Sequence, residues 1–212
     1  MRKRRSRFNW VEYLLLIAGL VAVDYYIWSI VQTNFFQLRS EQAFDRAARM
    51  RTEMPNPEGH RQPRRLKKGD IVGRLSIPRL HVRVMVREGD DEETLHLAAG
   101  HIPSTVLPGD NGNFAVAAHR DSFFRPLRNI KPYDRILVST LDGDYEYQVT
   151  STEIVSPKDV DVLKASVSHE LTLVTCYPFF YIGSAPNRFI VHATQVSSTA
   201  PPAPSIARAA SD

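Results

Sequence analysis

The chain has a single cysteine, Cys176, among 212 residues. One thiol cannot close an internal disulfide, so no disulfide framework supports the fold, and a structural zinc site built on cysteines is excluded with it. A basic surface is also missing where a nucleic-acid-binding domain would need one. The net charge of +4 divides unevenly: residues 1–70 carry 14 Lys/Arg against 7 Asp/Glu, whereas residues 71–212 carry 13 against 16. The second region is therefore mildly acidic, which argues against binding to a phosphate backbone. No internal repeat is evident. What the chain does have is apolar and aromatic material, 43% hydrophobic residues with ten Phe, eight Tyr and two Trp. That is enough to build the core of one domain with appendages.

The basic excess lies at the front. Arg2, Lys3, Arg4, Arg5 and Arg7 lead into WVEYLLLIAGLVAVDYYIWSIV, residues Trp10 to Val31. From Tyr13 to Val31 this makes 19 residues interrupted by Asp24, close to the roughly 20 that cross a bilayer. The positive-inside rule puts the basic residues 1–9 in the cytoplasm, makes 10–31 a signal-anchor helix, and exports everything beyond it. Trp10, Tyr13, Tyr25, Tyr26 and Trp28 are the amphipathic aromatics of a membrane interface. A cleaved signal peptide is the competing reading, but no A-x-A site follows the apolar run. Asp24 counts against the span, because a carboxylate in hydrocarbon is costly unless it lies near one end. The expectation is a single-pass cell-membrane protein with an extracytoplasmic domain.

Residues 32–69 read as a helical, then Pro-rich basic linker. FQLRSEQAFDRAARM, Phe36 to Met50, has the thin apolar stripe of a short helix, and RTEMPNPEGHRQPRRLKKGD has the composition of a spacer. The folded domain is expected over 70–196. DIVGRLSIPRLHVRVMVREG holds two strand-like runs broken at Pro78, and DDEETLHL has the acidic start of a helix. NFAVAAH, DRILVST, DYEYQVTSTEIVS, ELTLVTC and RFIVHATQV are further β-branched or aromatic runs separated by Gly, Pro or Asp. About eight short strands with one or two short helices predict an all-β, closed or nearly closed antiparallel barrel. Residues 197–212, rich in Ala, Pro and Ser, are expected to form a disordered tail.

Cys176 ends the apolar run ELTLVTC, just before Pro178. It is either a small buried hydrophobe or a nucleophile. A nucleophilic cysteine works as the thiolate and needs a cation or base beside it, with a donor for the oxyanion it creates. Of the seven histidines, His60 lies in the spacer, His96 in the acidic helical segment and His192 inside a strand. His81 opens a strand-like run, His101 begins a turn-rich loop, and His169 precedes a strand. His119 differs: it ends NFAVAAH, and the polar RDS follows. Arg188 begins the next strand after YPFFYIGSAPN and can return to the same rim, where an always-charged, multi-donor guanidinium suits a thiolate or an oxyanion. Spacing alone leaves both readings of Cys176 open.

The stretches LPGDNGNFAVAAHRDSFFRPL and TLVTCYPF, with Arg188 in APNRFIV twelve residues after the cysteine, closely resemble the sortases, and TLVTCYPF looks most like class D. The resemblance covers about Asp70 to Val196. One departure is Ala118, where many sortases have Gly before the histidine. The resemblance implies an eight-stranded sortase-type β-barrel behind an N-terminal transmembrane helix. It also implies a cysteine transpeptidase that cleaves an LPxTG-like sorting signal on surface proteins and joins them to an amine acceptor, a cell-wall precursor or another protein. Cys176 would form the thioacyl intermediate, His119 would act as general acid and then base, and Arg188 would hold the carbonyl and the oxyanion. Thr175, the usual residue before the cysteine, is a lesser candidate for substrate contact. No cofactor and no metal are implied. The acidic run Glu88 to Glu93 reads as a solvated loop in preference to a Ca²⁺ site. No inserted lid of the pilin-polymerase type is visible. The reading from a different class is a catalytically silent, membrane-tethered binding barrel.

Overall fold

The structure, a computed structural model, describes residues 9–53 and 66–199. The basic residues 1–8, the centre of the spacer and the tail from residue 200 lie outside the described residues. Helix α1 runs without a break over Asn9–Glu53, 45 residues, or about 68 Å at the helical rise. The short helix expected at Phe36–Met50 is thus the continuation of the apolar segment. Gln32, Thr33 and Asn34 contain neither Gly nor Pro, so nothing stops the helix between the two parts. The helix is long and apolar enough to cross a membrane, and its most apolar stretch is buried nowhere against the rest of the protein.

Eight strands follow: β1 Ile71–Ile77, β2 Val82–Glu88, β3 Ala99–His101, β4 Gly112–Ala117, β5 Arg135–Thr140, β6 Asp144–Val155, β7 His169–Tyr177 and β8 Asn187–Ser198. One short helix, α2 Glu92–Leu97, connects β2 to β3. The strands close into a barrel in the order β1-β2-β3-β4-β7-β8-β6-β5. Two neighbouring pairs, β2/β3 and β4/β7, are parallel, so the barrel is not the purely antiparallel one that its short strands suggest. Parallel neighbours need a long crossover; α2 serves the first pair, and the whole β5–β6 hairpin serves the second. β8 also runs two residues past the expected boundary at Val196, because the twelve-residue β6 offers Glu146 and Tyr145 as partners for Ser197 and Ser198.

Alternation along the strands points Leu75, Ile77, Val84, Val86, Phe114, Val116, Leu171 and Leu173 into one core, with Tyr145 and Tyr147 from β6. Phe124 and Leu127, fully buried in the turn that follows β4, belong to the same core. Each such side chain contributes about 1.5–3 kcal/mol on burial. Near this turn Asp134, only 8% exposed, is bound by the Arg79 guanidinium and by the Lys131 amide at 2.8 Å. The Arg79 hydrogen bonds hold its carboxyl below the usual carboxylate range, against the opposing effect of burial.

The outer face of β1 and β2 is covered by the second half of α1. Gln37 bridges two backbone groups: its Nε2 donates to Leu97 O at 2.6 Å and its Oε1 accepts from Met85 N at 3.0 Å. Glu41 pairs with Arg83 at 2.7 Å and Asp45 with Arg74 at 2.8 Å. Arg87 lies over the Phe36 ring. Met85 stands on the outward side of its strand yet is wholly buried, because the helix lies over it. Arg74 and Met85 are cross-strand partners, so the step from Gln37 to Asp45 carries the helix across the ladder, not along it.

Candidate active site

The site follows from strand register. β4 and β7 run parallel with Ala117 beside Val174, and the ladder extends by one bond, Ala118 N to Val174 O at 3.2 Å. Two residues on, the same register sets His119 level with Cys176. On the other side of β7, Cys176 pairs directly with Arg188 of β8. Cys176 and Arg188 are therefore neighbours on adjacent strands, and His119, two residues past the end of β4, continues the row on the other side of Cys176; neighbouring strands lie about 4.8 Å apart.

Strand alternation decides which way the row faces. Leu171 and Leu173 on β7, Phe114, Val116 and Ala118 on β4, and Val191 and Ala193 on β8 point into the core. Cys176 and Arg188 have the opposite parity and lie on the outer face of the barrel, and His119 follows the buried Ala118 just beyond the end of β4. All three are partly exposed, while Thr175 between them is 2% exposed. Thr175 points inward and donates its hydroxyl to Ala118 O at 2.7 Å. It straps β7 to β4 one residue before both Cys176 and His119, and its hydroxyl does not face the open surface.

His119 is held from behind as well, since its carbonyl accepts from Phe124 N at 3.1 Å and Phe124 is fully buried. Arg188 turns its Nη1 to Asn187 O at 3.1 Å, at the start of β8, and to Ala185 O at 3.4 Å in the loop between β7 and β8. The root of that loop is stiffened by Tyr177, Phe179 and Phe189, whose rings contact one another at 5.3–6.3 Å. Its tip carries the exposed apolar residues Phe180 and Ile182. The arrangement offers a thiol, an imidazole and a guanidinium on one open face, the three groups that attack on a carbonyl requires.

The remaining described histidines lie elsewhere. His101, expected at the start of a turn-rich loop, ends β3; it is buried, with Nδ1 2.6 Å from Glu88 and Nε2 3.1 Å from the Thr105 hydroxyl. His192 pairs with Glu153 at 2.8 Å, and His169 Nδ1 meets Asp110 O at 2.9 Å. His96 sits in α2 and His81 follows the turn Pro78–Leu80. In the acidic run, Asp91 caps α2: it accepts from Thr94 N at 3.3 Å and from the Thr94 hydroxyl at 2.9 Å, and it pairs with Lys68 at 3.2 Å. Although burial acts the other way, these partners hold its carboxyl down at about 2.

Sequence reasoning missed Arg120, whose guanidinium donates to three carbonyls of the loop after Cys176. Its position beside His119 is the one signal that could have drawn notice.

Residues 75–196, more than half of the chain, match the family model described as "Sortase domain". The chain is 27% identical over 194 residues to Sortase D of Bacillus subtilis, covering 88% of this chain and 98% of that one. A structure of a Clostridium perfringens Sortase D5 transpeptidase superposes with a TM-score of 0.62 at 25% identity, over 78% of this chain and 99% of the other. A Clostridium perfringens sortase C, solved with the C-terminal cell wall sorting motif, superposes with a TM-score of 0.58 at 26% identity, over 63% and 74% of the two chains.

Proposed function

The chain belongs to the sortase family of cysteine transpeptidases that anchor surface proteins, and we propose that it does so through a thioacyl enzyme formed on Cys176. The carrying observation is the row of His119, Cys176 and Arg188 across β4, β7 and β8. The Cys176 thiolate adds to the Thr carbonyl carbon of an LPxTG-like sorting signal, and the electron pair moves to the carbonyl oxygen, where the Arg188 guanidinium neutralises it. The Thr–Gly C–N bond then breaks as His119 gives its proton to the departing amine, leaving a thioester. An incoming amine passes a proton to His119 and attacks the thioester carbonyl. The C–S bond breaks, a new amide forms and the thiolate returns. Thr175 and Phe124 serve by fixing the backbone that presents the two reacting residues.

The presence of a sorting motif in the sortase C structure supports this substrate class. The apolar half of α1 acts as a single-pass anchor with a cytoplasmic N-terminus, leaving the barrel outside. The partners are surface proteins bearing a sorting signal and an amine on a cell-wall precursor or another protein.

The test is intact-mass analysis of the detergent-solubilised full chain after incubation with LPxTG-type peptides. A thioester adduct is expected on the wild type, and none on Cys176→Ala. No adduct with any sorting-type peptide would leave the silent binding barrel as the reading.

A further inference from the structure

Arg120 holds the loop that follows the cysteine. From the end of β4 its Nη1 donates to Pro178 O at 3.1 Å, and its Nη2 donates to Tyr181 O at 2.8 Å and Gly183 O at 2.9 Å. The same guanidinium lies 5.9 Å from the centre of the Tyr181 ring. The three acceptors span six residues of the loop between β7 and β8. Only a planar, permanently charged fork with several donors can tie carbonyls spread that widely to one point. The loop needs such a tie, because Ile182 is 98% exposed and Phe180 75% exposed, so its tip has little burial to hold it.

Arg128 also reaches this loop, lying 5.3 Å from the centre of the Phe180 ring, and Arg188 donates to Ala185 O at 3.4 Å. If Arg188 turns to a substrate oxyanion, as the proposed chemistry requires, that bond is given up. Arg120 then still ties the loop's backbone by hydrogen bonds, while Arg128 touches only the Phe180 ring, and Arg120 leaves from the residue next to His119. One backbone segment therefore presents the imidazole and, one residue later, fixes the loop beyond the nucleophile.

We propose that Arg120 is a positioning residue that keeps residues 178–183 in place as an apolar wall of the peptide site while Arg188 turns to the substrate. The kinetic part of this rests on the sortase reading; the structural part does not. Two measurements on the full chain in detergent separate them: hydrogen exchange of the loop and steady-state cleavage of an LPxTG-type peptide. Arg120→Ala should speed exchange over 178–184 while β4, β7 and β8 keep their protection. It should raise KM by about tenfold, with kcat changed far less, since bonds from a charged donor are being lost. Arg120→Lys, which keeps the charge but not the fork, should recover part of the loss in KM.

Unchanged exchange together with unchanged KM overturns the proposal. So does a fall in kcat with loop exchange as in the wild type, which would put Arg120 at the reacting atoms. If the alanine variant loses protection throughout the barrel, the lysine variant decides by the same two readouts. A wild type that cleaves no peptide refutes the proposed function, and the exchange result still decides whether Arg120 holds the loop.

Discussion

Two patches on the outside of the same barrel are built in opposite ways. Over β1 and β2, α1 lies against the outward row of Arg74, Arg83, Met85 and Arg87, burying Met85 while Arg83 stays exposed, and it is held there by side chains: Gln37, Glu41, Asp45 and Phe36. Over β4, β7 and β8, the outward row of His119, Cys176 and Arg188 is left open, and its members are placed by backbone register. The covered patch gains stability in small, separable steps, because partly exposed ion pairs give about 0–1 kcal/mol each. The open patch cannot shift one residue without moving every side chain on the strand to the other face. A barrel can thus dock its appendage loosely while its ladder places the candidate trio.

The sharpest way to break the comparison is to remove one member of the open row. Arg188→Ala takes away the proposed donor for the oxyanion without touching the core, so a loss of about 10²–10³ in kcat is expected with the fold intact. Single-turnover cleavage and circular dichroism check it together. An unchanged rate would remove Arg188 from the row's chemistry.

A smaller effect tests the strap beneath the row. Thr175→Val keeps the shape of the buried side chain but leaves Ala118 O without the hydroxyl at 2.7 Å. The expected cost is about 1–2 kcal/mol of stability, read from urea unfolding. His119 sits one residue past the freed carbonyl, so a several-fold lower kcat should accompany it. Thr175→Ser, which restores the hydroxyl, should recover both. Loss of stability with kcat unaltered would separate the strap from the placement of His119.

The strands were legible, because alternation and the switch from apolar to polar residues are local properties, but the expected ends shift: β4 closes at Ala117, two residues before His119, and β7 runs one residue past Cys176 to Tyr177. The adjacency of His119 and Cys176 was not legible, since β4 and β7 are parallel neighbours joined through a whole hairpin, and no short-range pattern signals that pairing. Arg188 was reachable because a single loop returns it directly to Cys176. Met85 alternates with Val84 and Val86 and so faces out, but its burial depends on α1, 48 residues upstream at Gln37. Arg120 was invisible for a different reason. An arginine in a polar loop normally denotes a solvated charge, and three backbone carbonyls leave no trace in a sequence. The end of the apolar run masks the continuity of α1, although no breaking residue lies there.

The smallest effect is expected at the covered patch, where it decides whether the two regions are independent. Gln37→Ala leaves Met85 N and Leu97 O without their bridging amide, and combining it with Glu41→Gln weakens the pair with Arg83. Together these should cost about 1–2 kcal/mol of helix docking, seen as faster hydrogen exchange in residues 33–50. The barrel core lies on the other side of β1 and β2, in Leu75, Val84 and Val86, so protection of β4, β7 and β8 should hold. Cleavage of a soluble peptide should stay within about twofold of the wild type, because side-chain contacts made only by the docked helix place none of the row. If turnover of that peptide instead falls with the docking contacts, the helix and the row are coupled through the ladder. The contrast between a loosely held cover and an independently held site would then be wrong.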